Sequence, residues 1–328
     1  MTCRQAPIVV VGQPRSGSTI TTRVLNECDG VFLLNDFYAL QAIDAEGLWQ
    51  RRDPAAAGRV AEIVLDRLTI RATQETGKTL EQSIDLPADK LAEVAAQARR
   101  DWPDGTAWHE VVGAILSHAA QAAQCVAWGW NTPQDHLHLE RIFAAWPEAR
   151  ALFVLRAPRA VLRSYKNVSG PWHDARRYNP VTIGLAWKVA AQNFHRWQER
   201  KPGQVDFMSY EDLVANTDAC AARLSAFIDR PCPDIDLARF GKNSSHAGNA
   251  TSHRVTDAEV WAMQKVVGPE LERLGFTRDA AAKPTSGMVQ LAGILARSGL
   301  FIGGQVLTDP DRRKRALNFL KQGGRNGE

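Results

Sequence analysis

Short apolar runs alternate with amphipathic stretches along most of the chain. Near the start, "PIVVVG" predicts a buried parallel strand, "STITTRVLNE" the helix after it, and "GVFLLND" a second strand that ends in polar residues. Further on, the segments that begin "CVAWGW", "RALFVL" and "VDFMS" each predict a strand, a turn and a helix. Strands that alternate with helices predict an α/β fold with a doubly wound, mostly parallel sheet and helices on both faces.

Two stretches depart from this alternation. Residues 44–123 are rich in Ala, Glu and Arg with helical periodicity, as in "PAAAGRVAEIVLDRLTIRAT", and predict a helical insertion within an α/β domain of residues 1–285. Residues 286–328 form a tail that is first apolar and then basic. We expect a helix packed on the body with a solvated end, or else an amphipathic element for a membrane surface or a partner. Arg297 and two glycines argue against a spanning helix.

The composition limits the possible partners. With 328 residues, 45% hydrophobic and 23% charged, the chain is typical of a soluble globular protein. Its net charge of +4 suits an anionic ligand and is too small to predict nucleic-acid binding. The five cysteines are scattered and form no CxxC pair, which predicts neither disulfides nor a zinc knuckle. We therefore expect a reducing, cytoplasmic location, and the first residues show no export signal or membrane anchor.

The loop after the first strand resembles a phosphate-binding loop without its lysine. Gly12, Gly17, Ser18 and Thr19 give the pattern G-x-x-x-x-G-S-T, whereas an ATP-binding loop requires G-x-x-x-x-G-K-[ST]. Strand, glycine turn and helix start predict a phosphate cradle, and Arg15 supplies a cation inside the loop. The alternative is a tight turn with a capping serine.

A second candidate anion site follows the strand "ALFVL". This strand ends in Arg156, where a magnesium-dependent NTPase would carry an acidic residue, and Ser164 lies eight positions later in the next helix. Both loops belong to the carboxyl edge of the predicted sheet, where ligands bind in such folds. Two phosphate sites and no metal site suit a nucleotide that is phosphorylated at two positions of its ribose.

Three motifs in order carry a family resemblance: "PRSGST" at 14–19, "RAPRAVLRS" at 156–164 and "YEDL" at 210–213. Together they resemble the sulfotransferases that use 3′-phosphoadenosine 5′-phosphosulfate (PAPS), of the bacterial and tyrosylprotein type. The resemblance extends from about Pro7 to Phe276. It implies PAPS as co-substrate without a metal, and a 5′ end held by Arg15, Ser16, Gly17, Ser18 and Thr19.

The same resemblance implies that Arg156 and Ser164 bind the 3′-phosphate. Tyr210 would lie near the adenine or support its pocket; the alternative is a core tyrosine, with Glu211 and Asp212 capping the next helix. Arg159 and Arg163 are expected to be solvated helix residues. A polar loop, "GKNSSHAGNATSHR", could close over the nucleotide through Lys242, Ser244, Ser245 or Arg254.

Sulfuryl transfer requires a general base at the acceptor and positive dipoles at the leaving phosphate. Arg15 meets the second need. Asp36, at the end of the second predicted strand, is the candidate base, and an Asn-Asp turn or helix cap is its alternative. Rival candidates are His109, Glu110, His136 and His138, of which the HxH pair is a weak metal signal.

The segment "WGWNTP" departs from the family pattern because Asn131 stands where relatives often carry a lysine that reaches the transferring group. Asn131 donates a hydrogen bond but no charge, which leaves a non-catalytic nucleotide-binding homologue open. A magnesium-dependent phosphotransferase or NTPase with a degenerate loop is the other alternative. We expect a small-molecule or glycan acceptor, bound near the insertion and "GPWHDARRYNP", with stacking on Trp, His and Arg.

Overall fold

The computed structural model describes residues 6–73, 86, 88–102, 106–168, 174–237, 253–284, 287–309 and 313. The chain divides into two compact units, of which the first comprises Met1–Leu155 with Trp197–Lys242. The second comprises Arg156–Arg196 with Asn243–Glu328. The predicted limit at residue 285 between body and tail stays a prediction.

The first unit is built on one sheet of five parallel strands among its described residues. The strands are β1 (Ile8–Gly12), β2 (Val31–Leu34), β3 (Ala127–Asn131), β4 (Arg150–Leu155) and β5 (Val205–Ser209), in the spatial order β2-β3-β1-β4-β5. The three central strands are almost wholly buried, as expected for apolar strands covered on both faces. The predicted α/β fold with a parallel sheet is thus confirmed.

The helices of the described residues connect these strands and build the second unit. In chain order they are α1 (Ser18–Asn26), α2 (Ala39–Ala45), α3 (Pro54–Thr73), α4 (Ala88–Arg100), α5 (Trp108–Ala122), α6 (Leu139–Ala145), α7 (Pro158–Lys166), α8 (Pro180–Arg200), α9 (Tyr210–Ala215), α10 (Thr217–Ile228), α11 (Asp257–Val267), α12 (Glu270–Arg273) and α13 (Met288–Thr308). Three of them, α3, α4 and α5, lie within residues 44–123, and the interpretation of this range as an insertion stays a prediction.

A continuous core holds α1 and α10 against the sheet. Val10 and Leu152 from the central strands pack in one cluster with Leu25 of α1 and Leu224 of α10. Each of these side chains is fully buried. Burial of a leucine stabilises the fold by about 1.5–3 kcal/mol, so this cluster fixes the helix that begins at the first loop.

The expectation that the chain has no disulfide is wrong. Cys28, just after α1, is bonded to Cys232, and the two residues are 204 positions apart in the sequence. The adjoining backbone is also paired, since the Asp29 amide donates to the Pro231 carbonyl at 2.9 Å. Disulfides persist mainly in oxidising compartments, and the predicted cytoplasmic location is not confirmed.

The second unit is held together by ion pairs and buried polar contacts. Lys166 at the end of α7 donates to both carboxylate oxygens of Glu259 in α11, at 2.8 and 2.9 Å. Asn179 donates to Ser298 of α13 at 2.8 Å, and both side chains are buried. By length and composition, α13 is apolar enough to cross a membrane.

Candidate functional site

The loop between β1 and α1 has the backbone of a tight cradle. Gly12 has φ 136°, and a Cβ atom there would lie 2.2 Å from the Val154 carbonyl oxygen, so only glycine fits between β1 and β4. Arg15 has φ 71°, a left-handed conformation that is uncommon outside glycine. The Ser16 amide closes the turn by donating to the Gln13 carbonyl at 3.2 Å.

Gly17 is the N-cap of α1 and is covered by Tyr210. It has φ 96°, and an added Cβ would lie 2.3 Å from the Tyr210 Cδ2 atom. Tyr210 is the first residue of α9, and Ser209 caps that helix by accepting from the Asp212 amide at 2.9 Å. The tyrosine ring therefore supports the first loop, and Asp212 belongs to the cap of the same helix.

Ser16 brings an unusual buried hydroxyl to this loop. The side chain is fully buried, and its hydroxyl has no hydrogen-bond partner among the described residues. By contrast, the hydroxyls of Thr21 and Thr22 donate to carbonyls of α1 itself, those of Gly17 and Ser18. The N-cap of α1 is Gly17, which provides no side-chain cap, and the first turn of the helix has no acidic residue. The first amides of a helix need external acceptors, so the loop suits an anion.

The ends of β2 and β3 are joined by a buried amide pair. Asn131 donates from Nδ2 to Asn35 Oδ1 at 2.9 Å, and both side chains are buried. The backbone follows the same pairing, since the Phe37 amide donates to the Asn131 carbonyl at 3.2 Å. This arrangement places Asp36 at the carboxyl end of β2, directly after Asn35, whose side chain is held by Asn131.

Asp36 has a cationic partner that the sequence did not reveal. An Arg71 Nη2 atom lies 3.5 Å from Asp36 Oδ2, and the arginine is largely buried. Asp36 itself has φ 50°, so its backbone is left-handed like that of Arg15. Strained backbone conformations persist where the surroundings impose them and cluster at functional sites. Arg71 comes from α3, and no spacing or motif links it to the end of β2.

A buried carboxyl group follows β3 a few residues later. Asp135 accepts from Trp130 Nε1 at 2.7 Å and from Gln41 Nε2 at 2.6 Å. Burial raises the pKa of Asp135 to about 7, against the opposing effect of these donors. The group therefore changes charge close to neutral pH while it holds β3 and α2 together.

The four rival candidates for the general base take part in a helix cap or are packed among other side chains. Glu110 accepts from the Ala107 amide at 2.6 Å at the start of α5, as a helix cap does. Burial lowers the pKa of His136 to about 3 and also lowers the pKa of His138. His109 packs edge-on against Trp146 in an aromatic cluster, and burial lowers its pKa. Within the described part of the chain no three metal-ligand side chains come together.

The second predicted anion site belongs to the second unit. Arg156 directly follows β4, and its carbonyl accepts from the buried Trp187 Nε1 at 2.9 Å. Ser164 is buried in the second turn of α7. Arg159 is paired with Asp257 at 2.7 Å and with Asp279, while 39% of its side chain stays exposed, so its role as a solvated helix residue stays a prediction.

Most of the third predicted loop lies outside the described residues, including Lys242, Ser244 and Ser245. The part that is described begins at residue 253, and the Arg254 carbonyl there accepts from Lys166 Nζ at 2.8 Å. The role of this loop over the nucleotide therefore stays a prediction.

Comparison with known proteins identifies the family. A family model described as "Sulfotransferase family" matches residues 7–234, which is more than half of the chain. The match includes both glycines of the first loop, the end of β2 and the segment after β4. The chain belongs to the sulfotransferase family. No curated protein sequence matches it significantly.

Several solved structures align with the chain at low identity. They include the sulfotransferase STF9 from Mycobacterium avium, with 17% identity, TM-score 0.47, and 83% of this chain and 78% of that chain covered. The sulfotransferase domain of the Synechococcus PCC 7002 olefin synthase aligns with 14% identity and TM-score 0.45, covering 90% and 96%. The corresponding domain from the curacin biosynthetic pathway aligns with 14% identity and TM-score 0.44, covering 90% and 99%.

Proposed function

We propose that this protein transfers a sulfuryl group from PAPS to a hydroxyl, or less often an amine, of an acceptor. The observation that carries the proposal is the buried hydroxyl of Ser16, which has no partner among the described residues and lies in the loop before α1. A buried hydroxyl without a partner is costly, and a bound phosphate oxygen would satisfy it. Family membership supports the choice of a sulfuryl donor.

The first loop fits the 5′ end of the nucleotide. Ser16 and the amides at the start of α1 offer donors, and Arg15 adds a cation that needs no metal ion. We assign the 5′ contacts to residues 15–19 and the 3′-phosphate contacts to Arg156 and Ser164, as the sequence resemblance implies. Tyr210 supports the loop through Gly17.

Bound PAPS supplies the sulfuryl group and the leaving phosphate. Arg15 and the α1 amides neutralise the negative charge that develops on the departing oxygen. Asp36 accepts the proton of the acceptor hydroxyl, and Arg71 holds its carboxylate in place. Asn131, fixed by Asn35, offers a neutral donor to the transferring group.

Calorimetric titration with two nucleotides tests the assignment of the phosphate sites. In EDTA, adenosine 3′,5′-bisphosphate should bind the wild type more tightly than 5′-AMP does. Arg15→Gln should weaken both ligands by about 10–100-fold, the value of a charge-assisted hydrogen bond. Arg156→Gln should weaken only the bisphosphate, and Arg163→Gln, at an exposed position of α7, should change neither. If Arg156→Gln weakens the binding of both nucleotides equally, Arg156 does not bind the 3′-phosphate.

For the acceptor we propose a small-molecule or glycan hydroxyl on the side of the helical insertion. A cavity of about 260 Å³ lies there, with Ala61, Arg99 and Trp102 in its wall. Helix α3 carries both this wall and Arg71, the partner of Asp36. Ala61→Leu, which fills part of the cavity, should raise the KM for an acceptor and leave bisphosphate affinity unchanged. An unchanged KM would exclude this cavity.

A further inference from the structure

Helix α13 presents an apolar face to solvent. Val289, Leu300 and Leu307 are 89%, 80% and 76% exposed, and they are the three most exposed large hydrophobic side chains among the described residues. At 100° per residue they fall on one side of the helix. The other exposed residues near that line are Ala292, Gly293, Ala296, Gly303 and Gly304, so this side has no charge among its described members.

The opposite side of α13 is packed against the rest of its unit. Leu291 packs with Ala258 and Ala262 of α11, and Ser298 accepts from Asn179. The helix is thus anchored along one side and bare along the other. An exposed apolar stripe of this length marks an interaction surface.

The charge that follows α13 indicates what this surface meets. Residues 309–328 contain six basic and three acidic side chains, so they carry +3 of the chain's net +4. Arg313 donates to the Leu307 carbonyl at 3.1 Å, so one of these cations lies at the end of the apolar face. Arg297 flanks the same face. A second copy of the chain would bring like charges together, whereas anionic lipid headgroups complement them.

We propose that α13 docks the protein on an anionic membrane surface. The helix lies in the plane of the interface, with Val289, Leu300 and Leu307 inserted among the acyl chains. Arg297 and Arg313, which lie beside this face and at its end, contact the headgroups. Because Leu291 and Ser298 stay packed on the protein, α13 lies on the membrane and does not cross it.

Co-sedimentation of the full chain with lipid vesicles tests this docking. The protein should pellet with vesicles of equal parts phosphatidylcholine and phosphatidylglycerol, and much less with phosphatidylcholine alone. High salt should release it. The combined variant Val289→Ser, Leu300→Ser, Leu307→Ser should bind at least about tenfold more weakly, since three buried apolar side chains are lost. Val214→Ser is the matched control, because Val214 is also exposed, at 50%, but lies on α9.

Charge and assembly give independent readouts. The variant Arg312→Gln, Lys314→Gln, Arg315→Gln should bind anionic vesicles about fivefold more weakly for each charge removed. All variants should keep the wild-type affinity for adenosine 3′,5′-bisphosphate. Failure of the wild type to bind anionic vesicles, or equal binding by the serine variant, would overturn the proposal. So would a dimer in sedimentation velocity that only the serine variant dissociates, because α13 would then face a second copy.

Discussion

The contact between Gly17 and Tyr210 provides a quantitative test of the first loop. In Gly17→Ala the left-handed backbone costs about 1–2 kcal/mol, and the less flexible unfolded chain returns about 0.4–1 kcal/mol. The new Cβ would also lie 2.3 Å from the Tyr210 ring. Displacing a packed ring typically costs a further 1–3 kcal/mol or so. We expect a total loss of about 2–4 kcal/mol.

Gly203 separates the backbone effect from the collision. It has φ 79°, and an added Cβ would meet nothing within 4 Å, so Gly203→Ala should cost only about 1 kcal/mol. In the Tyr210→Ala background, the stability lost through Gly17→Ala should also fall to about this value. The coupling free energy between the two substitutions is then about 1–3 kcal/mol. Urea denaturation followed by tryptophan fluorescence measures all four variants. If Gly17→Ala costs no more than Gly203→Ala in the wild type, the tyrosine does not pack on the loop.

Three further predictions concern the rest of the first unit. Because the pKa of Asp135 is raised from 3.8 to about 7, its contribution to stability is present below pH 4 and lost as the pH rises through 7. The melting temperature of Asp135→Asn should therefore rise relative to that of the wild type as the pH rises from about 5 to about 8. A difference in melting temperature that does not change with pH would contradict the raised pKa. Asp36→Asn should lower the melting temperature only slightly, because asparagine tolerates the left-handed backbone but no longer pairs with Arg71. It should slow bisphosphate release from PAPS with a hydroxyl acceptor by at least about a hundredfold, and full activity would exclude Asp36 as the base. Cys28→Ser should lower the free energy of unfolding by about 2–5 kcal/mol, since the Cys28–Cys232 bond closes a long loop, and dithiothreitol should reproduce the loss only in the wild type; no change on reduction would mean that the bond does not form.

The strands and the first loop could be predicted because their signals are local. The β-branched run before Gly12 specifies a buried strand, and the two glycines mark backbone positions where a side chain does not fit. Three motifs in order along such strands were sufficient to indicate the family. The match of the family model to residues 7–234 confirms it. The helices of residues 44–123 were predictable for the same reason, since their periodicity lies within single helices.

Contacts between distant segments could not be predicted. Cys28 and Cys232 are separated by 204 positions, and neither has a spacing that signals a bond. Arg71 reaches Asp36 from a helix whose packing depends on the whole insertion. The ion pairs of Arg159 could not be predicted either, because its acidic partners lie about 100 positions further along the chain. In each case the sequence shows the residue types, while the tertiary fold decides which of them meet.

Thermal unfolding of the wild type with different nucleotides tests the central claim most directly. Adenosine 3′,5′-bisphosphate at about 100 times its dissociation constant should add roughly 2.7 kcal/mol of stability, a shift of several degrees. We expect this shift in EDTA, a smaller shift with 5′-AMP, and no dependence of either shift on magnesium. Stabilisation by magnesium ATP but not by the bisphosphate would contradict the account and identify a phosphotransferase or NTPase.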